Sequence, residues 1–314
     1  MKTLNRIIVI LILCFAFFSC EQESLTPTKE PYKDLNEFFE KNGAPIQIFS
    51  ISANTGGTIV GTQGTTITFS PYSFKHTGGS LATGIITISL REVYSKADMV
   101  LSKVSTTCNG APLKSGGMFE LHAWQGNEEL QMANGMNYTA TMPATNPDGN
   151  MRAFLGMGTT DTADINWVLA DTAQVLDTTV NGQNNYYGNL FTEAIDYVWN
   201  SNWLGWCNSD APYFNAVNDV IHFTTNNKVS VYSTQVFLVF TSNTMIHVYN
   251  TTDGQFDYAY APNGYDATLV AVGFEDSILY SAFVPFTISA NQWLDFTMRQ
   301  TTSDEFKAAL DTLH

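Results

Sequence analysis

The sequence predicts a mainly β protein built from two β-sandwich-like domains, with a short N-terminal helix and a C-terminal helix. Three observations predict it. Charged residues make up only 14% of the chain while Thr, Asn, Gly, Tyr and Phe abound, a mix that suits solvated sheet better than helix bundles. The apolar runs are short, β-branched or aromatic, and separated by glycine-rich turns. A polar stretch of low periodicity, DTAQVLDTTVNGQNNYYGNL (171–190), divides those runs into two sets and reads as a linker. At 314 residues the chain is long enough for two domains.

The first 19 residues are expected to lie outside the fold. Lys2 and Arg6 precede an apolar run from Ile7 to Phe18, shorter than the roughly 20 residues that span a hydrocarbon core. This is the pattern of a secretory signal. Ser19-Cys20 resembles a bacterial lipobox, with Phe17 where Leu is usual, so Cys20 is the expected lipidated N-terminus. An ordinary cleavage near Ser19 is the alternative. The following EQESLTPTKEPY is polar and holds two prolines, as a tether would. The expected location is the outer membrane of a Gram-negative cell, lipid-anchored, and Glu21 and Glu23 resemble an export signal to its outer surface.

Residues 20–44 comprise that tether and a helix in KDLNEFFEKNG, where Leu35, Phe38 and Phe39 share one face and Asn42-Gly43 stops it. The first sandwich spans 45–170, through IQIFSI, GTIVG, TTITFS, GIITISLREVY, MFELHAW, EELQMA, NYTATMPA, MRAFLGM and INWVLA. Gln125-Gly126-Asn127 lies between two strand-like runs and reads as a hairpin turn. The second domain spans 191–314. Within it Val236–Phe240 is apolar throughout, as a central strand buried on both faces would be. In SDEFKAALDTLH, Ser303 is the expected helix cap, and Phe306, Ala309, Leu310 and Leu313 form the apolar face.

Charge narrows the partners. Loss of residues 1–19 takes the net side-chain charge from −15 to −17, with 12 Lys plus Arg against 29 Asp plus Glu. Nucleic acid selects a basic surface, so it is excluded as a partner. Attachment to an anionic membrane would have to come from the lipid.

The block GGTIVGTQGTTITFSPYSF…TGIITISLREVYSKADMVLS…GAPLKSGGMFELHAWQGNEEL resembles the ZU-type β-sandwich domain of zonula occludens and netrin-receptor proteins, in its bacterial lipoprotein form. The matching features are Gly57, the strand ending at Pro71 and Phe74, the Gly-led strand ending at Glu92, and Ser115-Gly116-Gly117. The likeness covers about residues 50–140. Ile165–Trp167 and Leu204–Asp210 resemble the region that follows in those lipoproteins, with the cysteine shifted. The resemblance implies an interaction module. Some relatives cleave themselves at a His-Phe-Ser step, but here His222-Phe223-Thr224 lies in VIHFTT, whose alternation suits an ordinary strand.

Little catalytic chemistry is written in the chain. Of the histidines His76, His122, His222, His247 and His314, the middle three occupy alternating strand runs, and SLREVYSK has no partner motif that would single out Ser89 or Ser95. There is no G-x-S-x-G, H-E-x-x-H, C-x-x-C or phosphate-loop pattern, so no enzyme, metal or cofactor is expected. The oxygen-rich segments 146–150 and 161–166 match no calcium-loop template and read as turns. Once Cys14 and Cys20 are set aside, Cys108 and Cys207 remain. A disulfide between them would close a loop of about 100 residues, worth about 4 kcal/mol in the chain-entropy treatment. Two unpaired thiols are the alternative.

One lead toward a ligand remains. Tyr186, Tyr187, Trp199, Trp203, Trp206, Tyr213 and Phe214 crowd together among Asn, Asp and Gly. Trp199, Trp203, Trp206 and Tyr213 are the candidate ligand-binding residues if the rings are exposed to sugars; otherwise they fill a core. The expected function is a non-enzymatic binding or structural lipoprotein with an unknown protein or glycan partner, and a carbohydrate-binding lipoprotein is the alternative. The anchor is tested directly: cells expressing the protein should incorporate labelled palmitate into it, and Cys20→Ala should abolish the label.

Overall fold

Short alternating runs become strands, and burial on both faces decides how the sheets stack. The computed structural model describes residues 28–144, 148–158, 165–170, 188–192, 196–212, 218–225, 229–230, 233–252 and 254–313. The protein is mainly β, with one helix near each end. Among the described residues, no helix is long and apolar enough to cross a membrane.

The first sandwich has two sheets. One runs β1 (Ile46–Ser52), β5 (Ile85–Val93), β7 (Ala111–Gln125), β15 (Gly205–Pro212), β11 (Arg152–Met157) and β12 (Asn166–Leu169). Two short strands, β6 (Thr107–Cys108) and β8 (Glu128–Glu129), also pair with β7. The other sheet runs β13 (Gly188–Thr192), β14 (Asp196–Ser201), β10 (Tyr138–Pro143), β3 (Thr66–Phe69) and β2 (Gly57–Val60). A small pair, β4 (Phe74–Lys75) with β9 (Gln131–Met132), closes one end. The Gln125–Asn127 turn joins β7 to β8 as expected, with Gln125 opposite Glu128.

The domain boundary moves. Residues 188–212, expected in the linker and the second domain, supply β13 and β14 to one sheet and the interior strand β15 to the other. The first sandwich is therefore incomplete without them. Long-range pairing that local sequence does not encode places them there.

The remaining strands form a single eight-stranded sheet. Its order is β22 (Trp293–Phe296), β16 (Asn218–Thr225), β19 (Gln255–Pro262), β18 (Met245–Thr252), β17 (Thr234–Phe240), β20 (Asp266–Glu275), β21 (Ile278–Thr287) and β23 (Arg299–Thr301). The sheet curls until its far strands face each other: Phe223 on β16 meets Phe286 on β21 with ring centroids 6.0 Å apart. Only Thr297 and the buried Met298 connect the two outermost strands. The result is sandwich-like, with Val236, Leu238, Phe240, Leu269 and Phe256 inside. β17 is central and buried on both faces, as its apolar run requires.

Alternation along the strands builds a third core between the two units. On β5, β7 and β15, Ile88, Phe119 and Cys207 point into the first sandwich, while Val93, Met118 and Trp206 point out. Those outward residues pack with Phe237, Val239 and Val270 of the curled sheet and with three helices. Helix α1 (Leu35–Asn42) starts at Asp34, whose carboxylate accepts from Glu37 N–H, and buries Leu35, Phe38 and Phe39. Helix α2 (Lys96–Ser102) carries a reciprocal Ser95–Asp98 capping box. Helix α3 (Ser303–Leu310) is capped by Thr302 with Glu305, not by Ser303 as expected; Ser303 is instead held by Glu30.

One buried carboxylate fixes the edge of the first sandwich. Glu92 accepts from Gln47 Nε2 (2.8 Å), Gln63 N–H (2.9 Å) and Thr65 N–H (2.8 Å). A Cβ on Gly61 would lie 2.4 Å from that carboxylate, so only glycine fits there. Glu92→Ala, which leaves buried N–H donors unpaired, should cost about 3 kcal/mol. Gly61→Ala should cost about 2 kcal/mol by overpacking. Urea denaturation of each variant checks both, with the midpoint expected to fall.

Candidate functional site

The residues singled out from sequence do not form a platform. Trp199 is fully buried, edge-on to Phe119, and its indole N–H donates to Ser209 Oγ at 3.0 Å. Trp206 is buried in the core between the units, edge-on to Trp167, with the Arg91 guanidinium 5.7 Å from its ring. Trp203 is half-buried against the first sandwich. Tyr213, with Tyr186, Tyr187 and Phe214, lies outside the described residues, as does Cys20. For Trp199 and Trp206 the packing reading holds, because β14 and β15 are covered strands rather than surface loops.

Of the two readings left open for Cys108 and Cys207, the unpaired one holds, since both thiols are free. The sheet itself separates them. Cys207 faces the first sandwich core, where the Tyr138 hydroxyl is 3.4 Å from its sulfur, whereas Cys108 packs against the core between the units. Burial pushes the Cys207 thiol up to about 12 and raises that of Cys108, with the Asp210 carboxylate adding to the latter. Asp210 is itself wholly buried, and desolvation holds its carboxyl well above the usual range.

The outer face of the curled sheet presents a different arrangement. Its β17–β20–β21 half is covered by the first sandwich and the helices. Its other half is open, because Ile221, Phe223, Phe256 and Phe296 turn inward and leave the alternate residues outside. Cross-strand register then aligns Trp293, His222, Asp257 and Tyr249 in one row across β22, β16, β19 and β18. Asp295, Thr224 and Gln255 form the next row.

These side chains hold one another in place. The Trp293 indole stacks on the His222 ring with centroids 4.3 Å apart and planes 22° apart. His222 Nδ1 lies 2.7 Å from Asp257 Oδ1, and Gln255 Nε2 donates to the same oxygen at 2.7 Å. Thr251 Oγ1 donates to Asp257 Oδ2 at 2.8 Å, and the Thr224 hydroxyl donates to Asp295. Burial alone would raise the Asp257 carboxyl. The hydrogen bonds from Gln255, His222 and Thr251 outweigh it and hold that group below the usual carboxylate range. Trp293 nevertheless stays 60% exposed and Tyr249 46% exposed. By strand spacing the two rings stand about 14 Å apart.

The site combines two flat apolar faces with fixed acceptors and amide donors between them. Sequence reasoning placed His222 on a half-exposed strand position but did not join it to Trp293, which lies 71 positions on and pairs with it through a parallel register. The outward phase of VIHFTT and NQWLDF was the available signal. Strand β16 is regular through His222-Phe223-Thr224, with Phe223 fully buried, as the strand reading requires.

The buried thiols give a direct check on this geometry. The mature protein should migrate identically with and without reductant, and Cys207 should resist a thiol-alkylating reagent until denaturant is added.

No protein-family model matches the chain, and no curated protein matches it. Among solved structures, a γ-CGTase from the alkalophilic Bacillus clarkii is similar at 7% identity, with a TM-score of 0.21 over 78% of this chain. The match covers 41% of that enzyme's chain, and a likeness at this level bears on neither fold nor function.

Proposed function

We propose that the protein is a lipid-anchored, non-enzymatic binding protein of the cell envelope that takes a carbohydrate chain on its Trp293–Tyr249 face. The observation that supports this most is the stack of Trp293 on His222, which keeps a large indole flat and exposed instead of folded inward. The C–H face of a pyranose packs on such a ring, as other apolar faces do. Its hydroxyls would meet Asp257, Asp295 and Gln255, and hydrogen bonds to carboxylates are among the stronger ones. Binding fits better than catalysis because the hydroxyls of Thr224 and Thr251, which flank the His222–Asp257 pair, already donate to Asp295 and Asp257.

Assignment of residues about 50–140 to a ZU-type module belongs to the same proposal and rests on the Gly57, Glu92 and Ser115–Gly117 motifs. The expected tether is shortened at its far end, where Glu30 is buried against Ser303 and Tyr32 packs on the core, and the chain from Cys20 to Lys29 would then hold both units away from the bilayer.

A glycan array followed by calorimetry on the hits tests the reading. Trp293→Ala should weaken binding about tenfold or more, equivalent to about 1.4 kcal/mol. Stability should change by about 0.5 kcal/mol or less, since the ring is exposed. An array without binders, or unchanged affinity in Trp293→Ala and Tyr249→Ala, sinks the carbohydrate reading.

A further inference from the structure

A second feature, independent of the Trp293 face, lies where the units meet. A cavity of about 480 Å³ opens between the start of α2, the end of β17, the β20–β21 ladder and the residues after α3. This is within the size range of small-molecule sites. Its apolar walls include Val239, Pro285 and Leu313, and Thr241, Asp266 and Thr287 add polar groups. Lys96 also lines it, although that residue is only 9% exposed.

Lys96 is in an unusual position for a cation. Its ammonium donates to Thr241 O at 3.0 Å, the one hydrogen bond it makes among the described residues. Burial pulls its proton affinity down to about 8, and no carboxylate pairs with it among the described residues. Asp266, on the same cavity, accepts from Thr287 Oγ1 at 2.6 Å and remains exposed. A partly buried ammonium still has three donors to satisfy, and a partly desolvated charge with no counter-charge among the described residues is unfavourable. The cavity leaves room for an anion to supply both the acceptors and the charge.

We infer that this cavity binds a small organic acid whose carboxylate meets Lys96, whose apolar body lies against Pro285 and Leu313, and whose hydroxyl or amino group reaches Asp266. A second acidic group would face Asp266 and be repelled, so the class is monocarboxylates with a polar donor at the far end. Charge neutralisation at Lys96 would raise its proton affinity, so binding should weaken as pH rises from 7 to 9.

Calorimetry on the intact mature protein with 4-hydroxyphenylacetate, phenylacetate and 4-hydroxyphenylacetamide tests this. Saturable binding of both acids is expected, at least tenfold tighter for the hydroxy acid than for its neutral amide. Asp266→Asn should reduce the preference for the hydroxy acid over phenylacetate. Lys96→Met should abolish acid binding without lowering the melting temperature, because it removes an unneutralised buried charge. If that variant is unfolded, the acid-to-amide comparison on the unaltered protein decides, together with an NMR titration of reductively dimethylated lysines. One lysine should titrate near 8 and move upward with the acid. Failure of both acids to saturate at millimolar concentration, equal affinity for acid and amide, or unchanged binding in Lys96→Met would overturn the inference.

Discussion

The turn joining β17 to β18 enters the first sandwich and is hydrogen-bonded there as if it belonged to it. Asn243 is the centre of this lock: its carbonyl accepts from Ser115 N–H at 2.9 Å, and its side-chain amide donates to Tyr94 O and Ser115 O. Thr244 Oγ1 donates to Leu113 O, Met245 O accepts from Thr106 N–H, and His247 N–H reaches Ser105 Oγ. Backbone groups buried between two units need such partners. Around the lock, Met118, Trp206, Phe237 and Val270 exclude water. The units therefore share a core and do not behave as beads on a linker, and an apolar interface of this kind resists relative motion.

That docking decides what the outer face of the curled sheet can do. An eight-stranded sheet exposes more face than one neighbour covers, so the half near β17 becomes core and the half near β22 stays wet. His247 and Tyr249 mark the border, their rings 4.4 Å apart, one buried and one exposed. Beyond it, strand register alone brings Trp293 and His222 into contact. The glycine turn of β6–β7 seals the border from the other side. Asn109 and Gly110 both have positive φ, as a tight two-residue hairpin demands. Any Cβ on Gly110 would strike the Tyr260 ring, while its carbonyl accepts from the Tyr258 hydroxyl.

What could be read from sequence follows the range of the interactions involved. Period-two alternation, the helix stop at Asn42-Gly43 and the Val236–Phe240 central strand depend on neighbours a few residues away, and all were legible. Helix α2 was overlooked inside SKADMVLS although Ser95 and Asp98 are a capping box ahead of an apolar run. The membership of 188–212 in the first sandwich was not legible, because it depends on β15 inserting between β7 and β11. The same gap explains the aromatic cluster. Trp199 and Trp206 look available in a polar segment and become buried only once β14 and β15 are paired. Trp293, with a single aromatic neighbour in sequence, becomes conspicuous only through the parallel β16–β22 register.

Three buried ionisable groups show how the same desolvation penalty is met in different ways. Glu92 keeps its place because N–H donors converge on it and Gly61 leaves room for its carboxylate. Asp210 has an Asn208 amide on one oxygen and no partner among the described residues on the other. Desolvation raises its proton affinity well above the usual carboxylate range. Lys96 has one carbonyl and no counter-charge among the described residues, yet unlike Asp210 it borders open space. Closed surroundings push an acid toward its neutral form, whereas open ones admit a ligand of opposite sign. Enclosure, more than the size of any shift in proton affinity, therefore separates a structural charge from one available for recognition.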